Sequence, residues 1–291
     1  MVSQEELAAL DHLMWLRSGH RAAAANHCNQ STISRRLSRA TQIFGVELVR
    51  EGAEWQAVGA QMLLTLEREV HQLARFLGEL PLRLEIGPAL APLMASPAPP
   101  GWTCGTLDHL GVNRPLELLR SRIIDAWLTD AGRDLQVLCD GDDDLVILPL
   151  LRYPVHVAAA PHHPLASAGA VSQDDLRRFP LPGFSSRCYP WVGSVLPSLG
   201  LGQGQRRMPI YDPADWEGLT ADGATLTFRT PFCPPGPWPL APLDHPALFT
   251  NVGALVCRAD LTAEGALHEL HNLLCARLLR FMPQLPGVRR L

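Results

Sequence analysis

Six arginines, Arg17, Arg21, Arg35, Arg36, Arg39 and Arg50, fall in a stretch whose only acid is Glu47, a local charge of +5 in a chain of net charge −4. Asn29 can cap a helix in which Ile33, Leu37, Ala40 and Phe44 recur at i, i+4, i+7 and i+11 before Gly45 stops it. The other side of that segment carries Gln30, Thr32, Ser34, Arg35, Arg36, Ser38 and Arg39, with no acid among them. Amide and guanidinium groups at such a spacing suit adenine and guanine edges, and guanidinium forks also suit phosphates. A solvated helix face with a few arginines is the competing explanation.

Other constellations offer less. His268, His271 and Cys275 share a helical face with zinc-like spacing, but that face is expected to be buried in the core. Asp142 to Asp144 point in successive directions, as in a solvated turn. His162-His163 reads as part of a turn. All 25 basic residues are arginine, so P-loop, protein kinase, Schiff-base and PLP chemistry lack the lysine they need. No nucleophile elbow, paired catalytic carboxylates or Gly-rich dinucleotide loop is present. We therefore expect no catalytic residues, no metal, no cofactor and no enzymatic activity.

The elements that must hold the basic face come next. At roughly 150 residues per domain, 291 residues suggest two domains. The first 80 residues contain no proline and the remaining chain contains all 26, which permits a largely helical N-terminal part ending near Gly78 to Pro81. Ser3 and Glu6 have capping-box spacing, followed by Leu7, Leu10 and Leu13 or Met14 on one face until Gly19. A second short helix fits Arg21 to His27. Three helices ending in one that is apolar on one side and basic on the other meet the needs of a helix-turn-helix reader of double-stranded DNA. Leu63, Leu66, Val70, Leu73, Leu77 and Leu80 then follow at spacings of 3, 4, 3, 4 and 3, a seam able to pair with a second copy. From Leu82 on, short apolar runs alternate with helical stretches, which argues for α/β architecture. With seven cysteines, no C-x-x-C pair, no secretory leader and no apolar run of about 18 residues, a cytoplasmic, non-membrane location is expected.

The stretch AAAANHCNQSTISRRLSRATQIFGVELVREGAEWQAVG resembles the N-terminal winged helix of the LysR-type transcriptional regulators. Ala22 and Ala23 match its paired alanines and Gln30 its glutamine. Ile33-Ser34-Arg35 match its aliphatic-Ser-Arg step, Gly45, Leu48 and Arg50 its close, and Gly59 the glycine after the wing. Asn26, Asn29, Ala40-Thr41, Val49 and Trp55-Gln56 depart from the pattern, as in a divergent member. Further resemblance lies in PLELLRSRIIDAWLTD, in the strand and turn PVHVAAAPHHPLA, and in the last strand and closing helix LVCRADLTAEGALHELHNLLCARLL, where Thr262 is the expected cap. Arg187 to Pro242 matches nothing that can be anchored.

The resemblance implies an α/β chain with a winged helix-turn-helix (1–58), a long linker and dimerisation helix (59–80), and a two-lobed, periplasmic-binding-protein-like effector-binding domain (81–291). Lobe I is expected at about 81–152 and 253–291, and lobe II at about 153–252. The implied function is a sequence-specific DNA-binding regulator, dimeric or tetrameric, responding to a small-molecule effector. The alternative is a sensor of the same fold that has lost DNA reading. Candidate DNA contacts are Asn29, Gln30, Ser31, Thr32, Ser34, Arg35, Arg36, Arg39 and Arg50; the dimer seam is Leu63, Leu66, Val70, Leu73 and Leu77. By position in the family, effector contacts fall at Pro88, Ala89, Leu90, Thr129, Ser185, Ser186 and Thr230. The family's hydroxyl after the first strand is replaced here by Gly87-Pro88-Ala89, which argues against a carboxylate effector.

Overall fold

The computed structural model describes residues 2–291 apart from 107, 203–204, 207–209 and 234–235. It divides into two compact units, the first comprising Met1–Glu85, Pro100–Thr106 and Leu116–Ala126 and the second the remaining chain.

The first unit opens with helices α1 (Gln4–Leu16), α2 (Gly19–Ala25) and α3 (Gln30–Phe44), followed by the antiparallel hairpin β1 (Val46–Glu51) and β2 (Glu54–Gly59). The Ser3–Glu6 capping box forms, but α1 ends at Arg17 in a left-handed conformation, two residues before the glycine expected to stop it. Ser18 accepts the Arg21 N–H and starts α2 at Gly19, so the second helix lies two residues earlier than its sequence pattern suggests. Asn29 caps α3 by accepting the Thr32 N–H at 2.8 Å. Ile33, Ala40 and Phe44 are buried and Leu37 packs beside them. Gly59 closes the hairpin with φ +136°, and a Cβ there would lie 2.7 Å from the Gly45 carbonyl oxygen, so only glycine fits. Asn26, which stands where the resemblance expects a core leucine, donates to His12 Nδ1 at 2.9 Å and to the Ala22 carbonyl at 2.7 Å. Burial, with Arg83 nearby, lowers the His12 pKa to about 3 and keeps the ring neutral, as an acceptor for Asn26 must be.

Helix α4 (Gln61–Phe76) is amphipathic in an unusual sense. Its apolar residues Leu63, Leu66, Val70 and Leu73, with Leu77 just after it, are exposed by 46–82%. Arg68, Gln72 and Arg75, at i, i+4 and i+7 on another face, are almost fully buried. Arg68 donates to Asp11 at 2.8 Å, and Asp11 also accepts from Arg83 at 3.1 Å. Arg75 engages both oxygens of Asp125, at 2.7 and 2.8 Å. Asp125 further accepts the Arg83 backbone N–H at 2.8 Å and Gln72 Nε2 at 3.0 Å. Burial works against ionisation of Asp11, yet Arg68, Arg83 and Arg75 together hold its carboxyl below the usual range. Strand β3 (Leu82–Ile86), paired in parallel with β4 (Trp102–Cys104), supplies both Arg83 and Glu85, the latter accepting from Trp15 Nε1 at 2.5 Å.

The second unit contains α5 (Ala91–Met94), and the chain passes between units within α6 (Asn113–Arg120) and β5 (Ala126–Thr129). Then follow α7 (Gly132–Leu138), β6 (Leu145–Ala159), α8 (Gln173–Leu176), β7 (Gly183–Phe184), α9 (Val192–Ser198), β8 (Gln205–Arg206), α10 (Pro213–Trp216), β9 (Thr227–Arg229), β10 (Ala241–Pro242), β11 (Phe249–Arg258), α11 (Gly265–Phe281) and β12 (Arg289–Arg290). Two long strands organise it. β6 and β11 pair antiparallel from Val155↔Phe249 to Leu145↔Arg258, with an irregularity at Gly253/Ala254. Strands β9 and β10 pair with the last residues of β6, and β12 pairs with its middle at Leu151 and Arg152. Arg152 and Val252, where the proposed lobe boundaries fall, are directly opposite each other. Leu267, Leu270, Leu274 and Leu278 form the buried stripe of α11, but its N-cap is Glu264, not Thr262. The Thr262 hydroxyl instead donates to the Ala259 carbonyl within the preceding turn.

Candidate nucleic-acid interface and ligand cavity

On α3 the buried stripe leaves Gln30, Ser31, Ser34, Arg35 and Arg39 exposed, with Thr32 and Arg36 half-buried at its edges. The candidate base-reading residues therefore occupy the N-terminal turns of a rigid helix. Not every polar group there is available. Asn29 Oδ1 is engaged by the Thr32 N–H and by the Ser31 hydroxyl at 2.8 Å. Arg35 makes a long contact, 3.3 Å, to the Thr32 hydroxyl and is otherwise exposed. Arg36 lies 3.9 Å from Cys28 Sγ, and Arg39 pairs with Glu6 at 3.0 Å while remaining 70% exposed. Arg50, on the hairpin, stacks over Trp55 at 5.6 Å from the ring centroid. These guanidinium groups offer positive charge on an exposed surface, which favours phosphate contacts.

The second unit holds a cavity of about 720 Å³ lined entirely by its own residues. One wall is aromatic: Phe184, Tyr189, Trp216 and Phe228 lie with ring centroids 5.1–6.2 Å apart. Tyr153 and Phe232, edge to face at 4.9 Å, line another part. Among the described lining residues the charged side chains are Asp130, Glu217 and Arg229. Burial raises the Asp130 carboxyl above its ordinary value, and burial likewise raises Glu217. Glu217 accepts the Tyr211 hydroxyl at 2.5 Å through Oε1, while its Oε2 is buried without a hydrogen-bond partner. Arg229 donates to the Leu240 carbonyl at 3.2 Å. Asp134 lies in the same unit, fully buried, and accepts the Trp191 and Val192 N–H groups at 2.9 and 3.2 Å. Burial pushes its pKa up to about 6.

Of the residues expected to contact an effector, Pro88, Ala89 and Thr230 line this cavity. Leu90 and Thr129 are buried instead, and Ser185 and Ser186 are outside the lining. The Thr129 hydroxyl accepts the Ala131 N–H at 3.1 Å, a turn-stabilising bond. Much of the lining comes from the stretch between Arg187 and Pro242, including Tyr189, Tyr211, Trp216, Glu217, Phe228 and Trp238, which sequence reasoning could not anchor. The density of aromatic residues in that stretch was its one available signal.

None of the remaining clusters is among the described residues that line the cavity. His163 is almost fully buried and bonds Leu165 N and the Ala224 carbonyl through its two ring nitrogens. Asp142 accepts the Asp144 N–H within its turn. The face expected in the core is only partly there: Cys275 is buried, but His271, 3.9 Å from its Sγ, is half-buried and His268, bonded to the Glu264 carbonyl, is exposed, because the α11 stripe that packs inward is the one of Leu267, Leu270, Leu274 and Leu278. The described residues contain no group of three metal-ligating side chains. No described helix is long and apolar enough to cross a membrane.

Residues 106–212 match the family model of the LysR substrate binding domain. No curated protein matches the chain. Among solved structures it is similar to a full-length OxyR variant from Pseudomonas aeruginosa, with a TM-score of 0.56 and 15% identity over 94% of this chain and 95% of that one. An OxyR mutant from Corynebacterium glutamicum gives a TM-score of 0.53 and 16% identity over 98% and 95% of the two chains. A reduced form of OxyR from N. meningitidis gives 0.51 and 15% over 72% and 98%. At such identities the likeness establishes the fold, and it runs through both the N-terminal helices and the α/β part. Residues 106–212 thus match a LysR substrate binding domain, and the chain as a whole shares the fold of full-length OxyR.

Proposed function

We propose that this protein is a sequence-specific DNA-binding transcriptional regulator whose oligomer responds to a small molecule held in the cavity of the second unit. It acts in the cytoplasm and without catalysis. The observation that carries the reading is α3, a helix buried along one stripe whose exposed N-terminal turns present Gln30, Ser34 and Arg35 with no acid beside them. Such a helix can enter a major groove, where Arg35 pairs with guanine and Gln30 with adenine, while Arg36, Arg39 and Arg50 hold phosphates. Arg39 exchanges its contact with Glu6 for a phosphate on binding.

Dimerisation through α4 is part of the same proposal. Its leucine stripe faces solvent because the opposite face is committed to Asp11 and Asp125, so a second copy of the stripe is the natural cover.

The test is a salt-series binding titration by fluorescence anisotropy, using DNA flanking the protein's own gene and a scrambled duplex. Arg35→Ala should weaken specific binding by about 1–3 kcal/mol and relax sequence preference. Arg36→Ala should weaken both duplexes alike and reduce the salt slope by about one. Equal affinity for both duplexes, unchanged by Arg35→Ala, would overturn the regulator reading in favour of a sensor that has lost DNA reading.

A further inference from the structure

We infer that the cavity of the second unit takes an organic cation, a protonated or quaternary amine carried on an apolar body, with Asp130 and Glu217 facing the charge. This inference rests on the proposal that the cavity is an effector site and adds the chemistry of what enters it.

Donors placed to hold an anion are few. Pro88 has no N–H to offer. At the start of α9 the Trp191 and Val192 N–H groups are occupied by the chain's own Asp134 carboxylate. The Thr129 hydroxyl is buried and outside the lining, where it accepts the Ala131 N–H, and the Thr230 hydroxyl accepts the Phe232 N–H at 3.3 Å while keeping its own proton to donate. Arg229 is the one base among the described lining residues, against two acids, and gives one of its N–H groups to the Leu240 carbonyl. Carboxylate acceptors are better supplied. Glu217 Oε2 is buried and unpartnered, and Asp130 lies beside the cavity with the Tyr153 hydroxyl directed at its backbone carbonyl, not at its carboxyl. Both carboxyls are raised by burial, as expected for acids to which the fold gives no counter-charge. The aromatic wall of Phe184, Tyr189, Trp216 and Phe228 supplies the other half of the recognition, since ring faces attract a desolvated cation and exclude a carboxylate. At about 720 Å³ the space suits a bicyclic body with room for its headgroup.

The experiment is isothermal titration calorimetry of the full chain with matched probes: naphthylmethylammonium, naphthylmethanol and naphthoate, and the adamantyl ammonium, alcohol and carboxylate. On at least one body the ammonium should bind about tenfold more tightly than the alcohol, with the carboxylate weakest. Asp130→Asn and Glu217→Gln should each lower ammonium affinity about tenfold and leave the alcohol unchanged, with thermal unfolding confirming that both variants fold. A carboxylate that binds best, and is lost in Arg229→Ala, overturns the cation inference while leaving the effector site standing. Failure of all six probes to bind overturns the effector site itself and the inference with it.

Discussion

Replacing Asp125 with leucine removes the acid that is hydrogen-bonded to Arg75. In the native chain Asp125 is fully buried and accepts four hydrogen bonds, two from Arg75, one from Gln72 and one from the Arg83 backbone. In Asp125→Leu the Arg75 guanidinium, 2% exposed, keeps only the Arg122 carbonyl at 3.1 Å. An orphaned buried charge costs about 3–5 kcal/mol. The Arg83 N–H, left without an acceptor, adds about 1–3 kcal/mol. Together these approach the whole stability of a typical domain, about 5–15 kcal/mol. Arg75→Met is milder, because the Asp125 carboxylate retains Gln72 and the Arg83 N–H. The double variant removes both charges, so it should be more stable than Asp125→Leu alone, with a coupling of about 2–3 kcal/mol. Urea unfolding at fixed protein concentration, followed by circular dichroism for the four proteins of the cycle, measures this directly. If the double variant loses the sum of the two single losses, the pair is uncoupled and the charge-network account of α4 is refuted.

Two further outcomes follow from the same structure. Leu66→Glu with Leu73→Glu places charge on a half-exposed seam, so sedimentation should show a lighter species while circular dichroism is unchanged; an unaltered sedimentation coefficient would place the interface elsewhere. Asp134, at about 6 in the folded state, binds protons more tightly than in the unfolded chain, at about 3.9. Stability is therefore lost as pH rises between these values, by up to about 3 kcal/mol. Asp134→Asn should raise Tm at pH 7 more than at pH 4, and a Tm gain independent of pH would contradict this assignment.

The parts of the chain that were legible in the sequence are those fixed by local periodicity. The α3 stripe of Ile33, Leu37, Ala40 and Phe44, the Asn29 cap, the Leu63 to Leu77 seam and the α11 stripe all follow from side chains three or four residues apart on one helix, which no tertiary contact has to supply. Where two caps compete at close range, as at Arg17–Ser18 against Gly19, the same reading misplaces a boundary by about two residues. It also cannot distinguish a hydroxyl facing a cleft from one closing a turn, which is why Thr129 was expected near an effector and is instead bonded to Ala131.

By itself the sequence determined a helix with an apolar and a basic face, a repeating leucine seam and an α/β remainder, because each is written in neighbouring residues. Only the tertiary structure decided that Arg68, Arg75 and Arg83 are internal ions and not part of a basic surface. Their partners Asp11 and Asp125 stand 42 to 72 residues away along the chain. The cavity was likewise decided only in three dimensions: its lining is gathered from Pro88 to Asn251, and neither the aromatic wall nor the placing of Asp130 and Glu217 in one lining exists until distant segments come together. Burial sets the charge state of such groups, and burial is a property of the packed chain.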